Sequence, residues 1–250
     1  MPGTYSLLAE LIAANKPAAL ATVISGSLIG SKLLVTGDGP AAGGIHPDLD
    51  TAIASDAWSL VAAERNETRA YELGGEQTQV FIETFPPPQR MIIVGAVHVA
   101  IPLHRLAKLL GYHVTVVDAR GALATRERFP EADSIMVEWP DDAMKELGLD
   151  SGTSVVVLTH DPKFDHLALI VALGSDARYI GAIGSRTTKQ QRMEALREDG
   201  ITEEQLARIY APVGLDLGAQ TPAEIALAIM SEIVATRRQR PGGHMSRRET

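Results

Sequence analysis

The densest group of polar side chains is Thr159-His160-Asp161-Pro162-Lys163-Phe164-Asp165-His166. It follows Val155-Val156-Val157-Leu158, so a buried strand would deliver two histidines and two carboxylates to one edge. Imidazole and carboxylate groups can ligate a metal or hydrogen-bond a polar heterocycle. The spacing matches no zinc signature. Thr159, His160, Asp161 and Asp165 therefore read as cofactor-binding residues, with no metal centre assigned. The plainer alternative is that Asp165 caps the next helix and His160 makes a local hydrogen bond.

Two further strand ends carry suitable chemistry. Ile93-Val94-Gly95-Ala96-Val97-His98-Val99-Ala100 has the form of a first strand-to-helix turn, and Asp118 follows at about the 20-residue spacing of a ribose-binding acid. Gly95 supplies the turn, but Val97 and Ala100 stand where a full dinucleotide fingerprint has glycines. Gly95 and His98 would meet a phosphate at the helix start, and Asp118 and Arg120 a ribose or phosphate. A Rossmann-like scaffold with an altered site is the alternative. In Gly181-Ala182-Ile183-Gly184-Ser185-Arg186, Gly181 and Gly184 permit close backbone approach, and Ser185 and Arg186 would clamp a second anion. Gly43-Gly44-Ile45-His46-Pro47 could form an anion turn, and the loop 211–219 reads as structural. Neither a Ser–His–Asp order nor a Walker loop occurs.

The elements that must position these groups change character at Phe85-Pro86-Pro87-Pro88-Gln89. Three prolines continue neither strand nor helix, so 86–88 reads as a stiff linker. Before it, 1–85 forms a small α+β domain: helices over Ser6–Asn15 and Asp48–Glu64, and strands over Ala18–Ser25, Lys32–Thr36, Thr68–Leu73 and Gln77–Glu83. After it, 89–238 alternates strand and helix. Strands are expected over Arg90–Val94, Tyr112–Asp118, Ser134–Glu138, Ser154–Thr159 and Arg178–Ile183. Helices are expected over His98–Leu110, Asp141–Leu147, Asp165–Leu173 and Thr187–Asp199. Thr202 with Gln205, and Thr221 with Pro222 and Glu224, form capping boxes, the second opening a last helix to Arg238. This rhythm predicts a Rossmann-like parallel sheet covered by helices, with ligands at the strands' carboxyl ends. Residues 239–250 read as a flexible basic tail.

Composition narrows the partners. The 250 residues carry 23 Lys plus Arg against 31 Asp plus Glu, a net charge of −8, which argues against nucleic acid and anionic membranes. There is no cysteine, which excludes disulfides, thiolate metal sites and a persulfide on this chain. The first residues do not read as a signal peptide, and no apolar run is long enough to span a bilayer. A cytoplasmic protein is expected.

VGAVHVA, LLGYHVTVVDAR, ATRERFPEAD, the THD cluster, YIGAIGSR and PVGLDLGAQTPAEIALAIMSEI occur in order over about residues 86–238. Together they resemble the XdhC/CoxI family of xanthine dehydrogenase accessory factors. LATVISGS, KLLVTGDG and LGGEQTQVFIET extend a weaker resemblance into the first domain. The resemblance implies a non-catalytic maturation factor, commonly a homodimer. It would bind the molybdenum cofactor, assist its sulfuration with a cysteine desulfurase, and deliver it to an apo molybdenum hydroxylase. Family cysteines are replaced here by Ile45 and Leu73, and an acid by Pro47. No thiolate of this chain is available to hold molybdenum or sulfur. The alternatives are an NAD(P)-dependent oxidoreductase with His160 as acid/base, or a ligand-free interaction module.

Overall fold

The structure, a computed structural model, describes residues 3–159 and 161–247. The chain divides into two compact units, Met1–Pro87 and Pro88–Thr250.

The first unit is α+β. Its elements are α1 (Thr4–Ala13), β1 (Ala18–Ser25), β2 (Lys32–Thr36), β3 (Gly39–Gly44), α2 (Pro47–Ala63), β4 (Glu67–Leu73) and β5 (Glu76–Phe85). The strands form an antiparallel sheet in the order β3-β2-β1-β5-β4. One set of side chains, Ala19, Ala21, Val23, Leu33 and Val35, packs with Ile53, Ala57 and Leu60 of α2. The alternate set, Ala18, Leu20 and Leu34, packs with Leu8 of α1, as the period-two pleat requires.

β3 corrects the reading of Gly43-Gly44 as a turn. Gly43 pairs with Leu33 and Gly44 with Lys32. A Cβ on Gly43 would stand 2.3 Å from the Lys32 carbonyl oxygen, so the glycine serves strand pairing. The amides of Ile45 and His46 donate to Asp50 Oδ1 at 2.9 and 3.1 Å and are not open to an anion.

The second unit contains β6 (Arg90–Val94), α3 (Ala100–Leu109), β7 (His113–Val117), β8 (Ser134–Met136), α4 (Pro140–Leu147), β9 (Thr153–Val157), α5 (Pro162–Leu173), β10 (Tyr179–Ala182), α6 (Arg186–Glu198), α7 (Glu203–Leu206), β11 (Ile209–Tyr210) and α8 (Pro222–Arg237). All strand pairs are parallel, in the order β8-β7-β6-β9-β10-β11. Counted along the unit, that is the Rossmann order 3-2-1-4-5-6. Both faces of the strands are apolar because both are covered. Met91, Ile93 and Val156 pack with Leu103 of α3 and Ile229 of α8. Ile92, Val94 and Val157 pack with Met144 of α4, Leu169 of α5 and Leu196 of α6.

The two capping boxes form at Thr202/Gln205 and Thr221/Glu224. Thr221 Oγ1 accepts from the Glu224 amide at 3.3 Å, and Glu224 Oε2 accepts from the Thr221 amide at 2.8 Å. Thr221→Ala is expected to lower the second unit's stability by about 1 kcal/mol. Thr221→Ser should stay near wild type, as thermal unfolding would register.

Candidate functional site

The direction of strand succession reverses between β6 and β9, the place where open parallel sheets commonly bind ligands. Gly95 leaves β6 with φ 106°, and its N–H donates to Val117 O at 2.8 Å. A Cβ there would lie 2.9 Å from Thr159 N and 2.8 Å from Thr159 Cγ2. Glycine is thus required twice over, by its left-handed backbone and by the close approach of the β9 exit. The next amides, of Val97, His98 and Val99, carry no hydrogen bond among the described residues. They precede α3, and the His98 side chain is exposed.

Asp118 at the end of β7 is 2 % exposed. Its Oδ1 accepts from the Arg120 amide and Arg120 Nε, both at 2.9 Å. Its Oδ2 accepts from the Ala96 amide and Arg120 Nη2, both at 2.8 Å. Burial pushes the carboxyl pKa up, but the Arg120 pairing and the two amides outweigh burial and hold it below the usual value. Arg120 is raised in turn, chiefly by its hydrogen bond to Asp118, with a further pull from the Asp161 charge. By sequence this pair is expected to meet a ribose or phosphate. In the structure each is engaged by the other, and Asp118 also ties the β6 turn to β7.

Thr159 is buried at the exit of β9. Its hydroxyl donates to Asp165 Oδ1 and accepts from the Asp161 amide, the latter at 3.2 Å. The helix cap is Asp161, not Asp165: exposed Asp161 accepts from the Lys163 amide at 3.0 Å. Pro162 occupies the first helical position, where a missing N–H costs nothing, so α5 begins three residues earlier than expected. Asp165 is then carried one turn into the helix and buried at 4 % exposure. There its Oδ2 accepts from Arg192 Nη2 of α6 at 2.5 Å. The same Nη2 donates to Ile183 O at 3.1 Å, while Arg192 Nη1 is buried with no partner among the described residues. His160 lies outside the described residues.

Beyond β10, Ser185 caps α6, its Oγ accepting from the Thr188 amide at 3.1 Å. The two hydroxyls lie 2.9 Å apart. Gly184 has φ 147°. Gly181 does not provide backbone approach for a ligand: a Cβ there would meet Val213 Cγ2 at 2.6 Å and Tyr179 Cε1 at 2.7 Å, so its smallness serves packing. Arg186 is exposed.

A cavity of about 480 Å³ lies among Thr159, Asp165, Gly184, Ser185, Thr188 and Arg192. Four sequence-assigned residues therefore share one cavity. Gly95, His98, Asp118, Arg120 and Asp161 occupy the neighbouring strand exits, while Gly181 and Arg186 do not line it. Arg192 and Thr188 were missed. The available signal was the spacing Ser185, Thr188, Arg192, which puts all three on one helical face.

The strand order defines a Rossmann-type domain, and polar groups stand at the strand exits around its switch point. Residues 91–233 match the XdhC Rossmann domain. The chain belongs to the XdhC family. It is 32 % identical over 172 residues to the uncharacterized protein YqeB of Escherichia coli K12, covering 68 % of this chain and 31 % of that protein. It is 30 % identical to a probable xanthine dehydrogenase subunit of Bacillus subtilis, covering 66 % and 48 % of the two chains. Identity to the molybdenum cofactor insertion chaperone PaoD of Escherichia coli K12 is 28 %, covering 72 % and 49 %. The chain thus spans between about a third and a half of these curated relatives. A crystal structure of a xanthine dehydrogenase from Bacillus halodurans shares the fold, with TM-score 0.55 and 21 % identity over 96 % of this chain and 97 % of that one. No helix among the described residues is long and apolar enough to cross a membrane.

Proposed function

We infer that this chain is an accessory factor that binds the molybdenum cofactor and hands it to an apo molybdenum hydroxylase of the xanthine dehydrogenase type. The observation that carries this reading is the gathering of polar groups from β6, β7, β9 and β10 at one sheet edge, in a chain of the XdhC family. The donor set fits part of the cofactor. Amides before α3 suit a carbonyl or other acceptor oxygen of the cofactor, and Asp161 suits the N–H groups of a pterin. The metal end has no counterpart: no group of three or more His, Cys, Asp or Glu among the described residues could hold a metal ion. The chain would therefore grip the organic part and leave the metal to its own ligands. Because the chain has no cysteine, sulfur added to the cofactor would come from a partner such as a cysteine desulfurase. The reading requires no covalent chemistry of this chain, only shelter and release. Hydride transfer is less well supported, because Asp118, the residue suited to a nicotinamide ribose, already has four donors.

The test is equilibrium binding of purified protein to molybdenum cofactor, NADH and NADPH, followed by transfer to an apo xanthine dehydrogenase. Cofactor binding with faster reconstitution is expected. Binding of a nicotinamide nucleotide with turnover, and none of the pterin, would replace the reading. Asp161→Asn keeps a helix cap while removing charge, and Arg186→Ala removes the exposed cation. Each is expected to weaken the complex about tenfold, equivalent to about 1.4 kcal/mol. Wild-type affinity in both variants would remove these residues from the site.

A further inference from the structure

We propose that the cavity between α5 and α6 is a socket for the phosphate monoester group of a small organic ligand, with Arg192 as its buried cationic anchor. Arg192 is 8 % exposed, yet one of its nitrogens is idle. Nη2 is engaged by Asp165 and the Ile183 carbonyl, while Nη1 is buried without a partner among the described residues. A buried donor left unpaired is costly, so it is readily explained where a ligand supplies the acceptor. Nη1 stands beside Gly184, where a Cβ would come within 3.7 Å of it and 3.1 Å of Thr188 Cγ2. Any side chain at position 184 would begin to fill the space in front of the guanidinium.

Other donors converge on that space. Ser185 and Thr188 line the cavity with hydroxyls 2.9 Å apart, so one hydrogen of the pair can turn to a ligand. The amides of Arg186 and Thr187 at the head of the 13-residue α6 carry no hydrogen bond among the described residues. Their partial positive charge favours an anion. The charge of the facing carboxylate is partly offset, because Asp165 Oδ1 takes the Thr159 hydroxyl and Oδ2 the Arg192 guanidinium. His166, also on the wall, is engaged by Asp199.

A guanidinium, hydroxyls and helix-start amides suit the three terminal oxygens of a phosphate monoester better than the planar pair of a carboxylate. A cavity of about 480 Å³ is far larger than a bare ion needs, and Pro162, Ile183 and Ala195 give it apolar walls for a ring. The ligand class is therefore a phosphorylated ring compound. As an anchor for the phosphate of the molybdenum cofactor, the socket rests on the function proposed above. As a phosphate site, it stands on its own residues.

The experiment is calorimetric titration of the full chain with phenyl phosphate, using benzoate and phenol as controls. Phenyl phosphate should bind at least tenfold more tightly than either control. Arg192→Lys keeps a cation beside Asp165 but lacks a second arm, and should weaken phenyl phosphate at least tenfold. Gln191→Glu changes an exposed residue on the cavity wall and adds a negative charge; it should weaken binding severalfold even if Arg192→Lys does not fold. Phenyl phosphate binding no better than benzoate, or at wild-type strength in every folded variant, overturns the socket. Molybdenum cofactor titrated into Gln191→Glu separates the two readings. Weakened phenyl phosphate with unchanged cofactor binding removes the anchor role and leaves the cofactor site elsewhere on the edge. Phenyl phosphate binding by a wild-type chain that ignores the cofactor keeps the socket and defeats the cofactor assignment.

Discussion

Asp165→Ala is expected to destabilise the second unit by about 3–5 kcal/mol, the cost of stranding a buried charge. The lost carboxylate accepts from Arg192 Nη2 and Thr159 Oγ1, and all three residues are buried. Its removal leaves a guanidinium that already has one unpartnered nitrogen. The paired change Asp165→Leu with Arg192→Met removes both charges and fills similar volume, so it should recover most of the loss. Urea unfolding followed through Trp139, with Trp58 replaced by Phe, isolates the second unit, because Trp139 packs edge-on against Phe164 of α5 at 5.0 Å. A loss below about 1 kcal/mol in Asp165→Ala would mean the pair is hydrated rather than buried. If the paired variant folds but no longer binds phenyl phosphate, Arg192 serves both the fold and the ligand.

The parts of the fold legible in the sequence were those with local causes. β1, β2 and β6 have the bounds expected from the sequence, and both capping boxes formed at the residues that spell them. β3 was not legible, because Gly-Pro-Ala-Ala-Gly-Gly has little strand propensity and is drawn into the sheet by pairing with β2. β11 is two residues long and exists only beside β10. The site followed the same division. Asp118 and Thr159 announced themselves by standing at the ends of apolar strands. Arg192 did not, because a cation in Thr-Thr-Lys-Gln-Gln-Arg-Met-Glu reads as part of a solvated helix face. Its partner lies 27 residues earlier on another helix, beyond any local spacing rule. The shift of the α5 cap from Asp165 to Asp161 belongs here too: only with the helix started at Pro162 does Asp165 point at α6.

Asp118→Ala is expected to cost about 2–4 kcal/mol at neutral pH, and the part of that loss due to charge should vanish in acid. The carboxylate is nearly buried and accepts the Ala96 amide, so the variant leaves a buried backbone donor unmatched and separates the β6 turn from β7. Arg120 is released, but its half-exposed side chain can rehydrate, which keeps the cost below that of stranding Arg192. The pH dependence follows from the depressed pKa of Asp118, in which Arg120 and the amides overcome the upward push of burial. A carboxyl whose folded pKa lies below its usual 3.8 contributes fully above that value, and the contribution fades as pH falls through the folded pKa. The stability gap between wild type and Asp118→Asn should therefore hold steady from pH 7 to about pH 5 and narrow below about pH 4. Denaturant unfolding of both proteins at matched pH measures that gap directly. A gap that stays constant to pH 3 would show that the charge on Asp118 contributes nothing, and that the turn at Gly95 is held by backbone geometry and packing alone. A gap that narrows at the predicted place would identify the Asp118–Arg120 pair as a latch. A ligand needing that carboxylate would have to compete with Arg120 to open it.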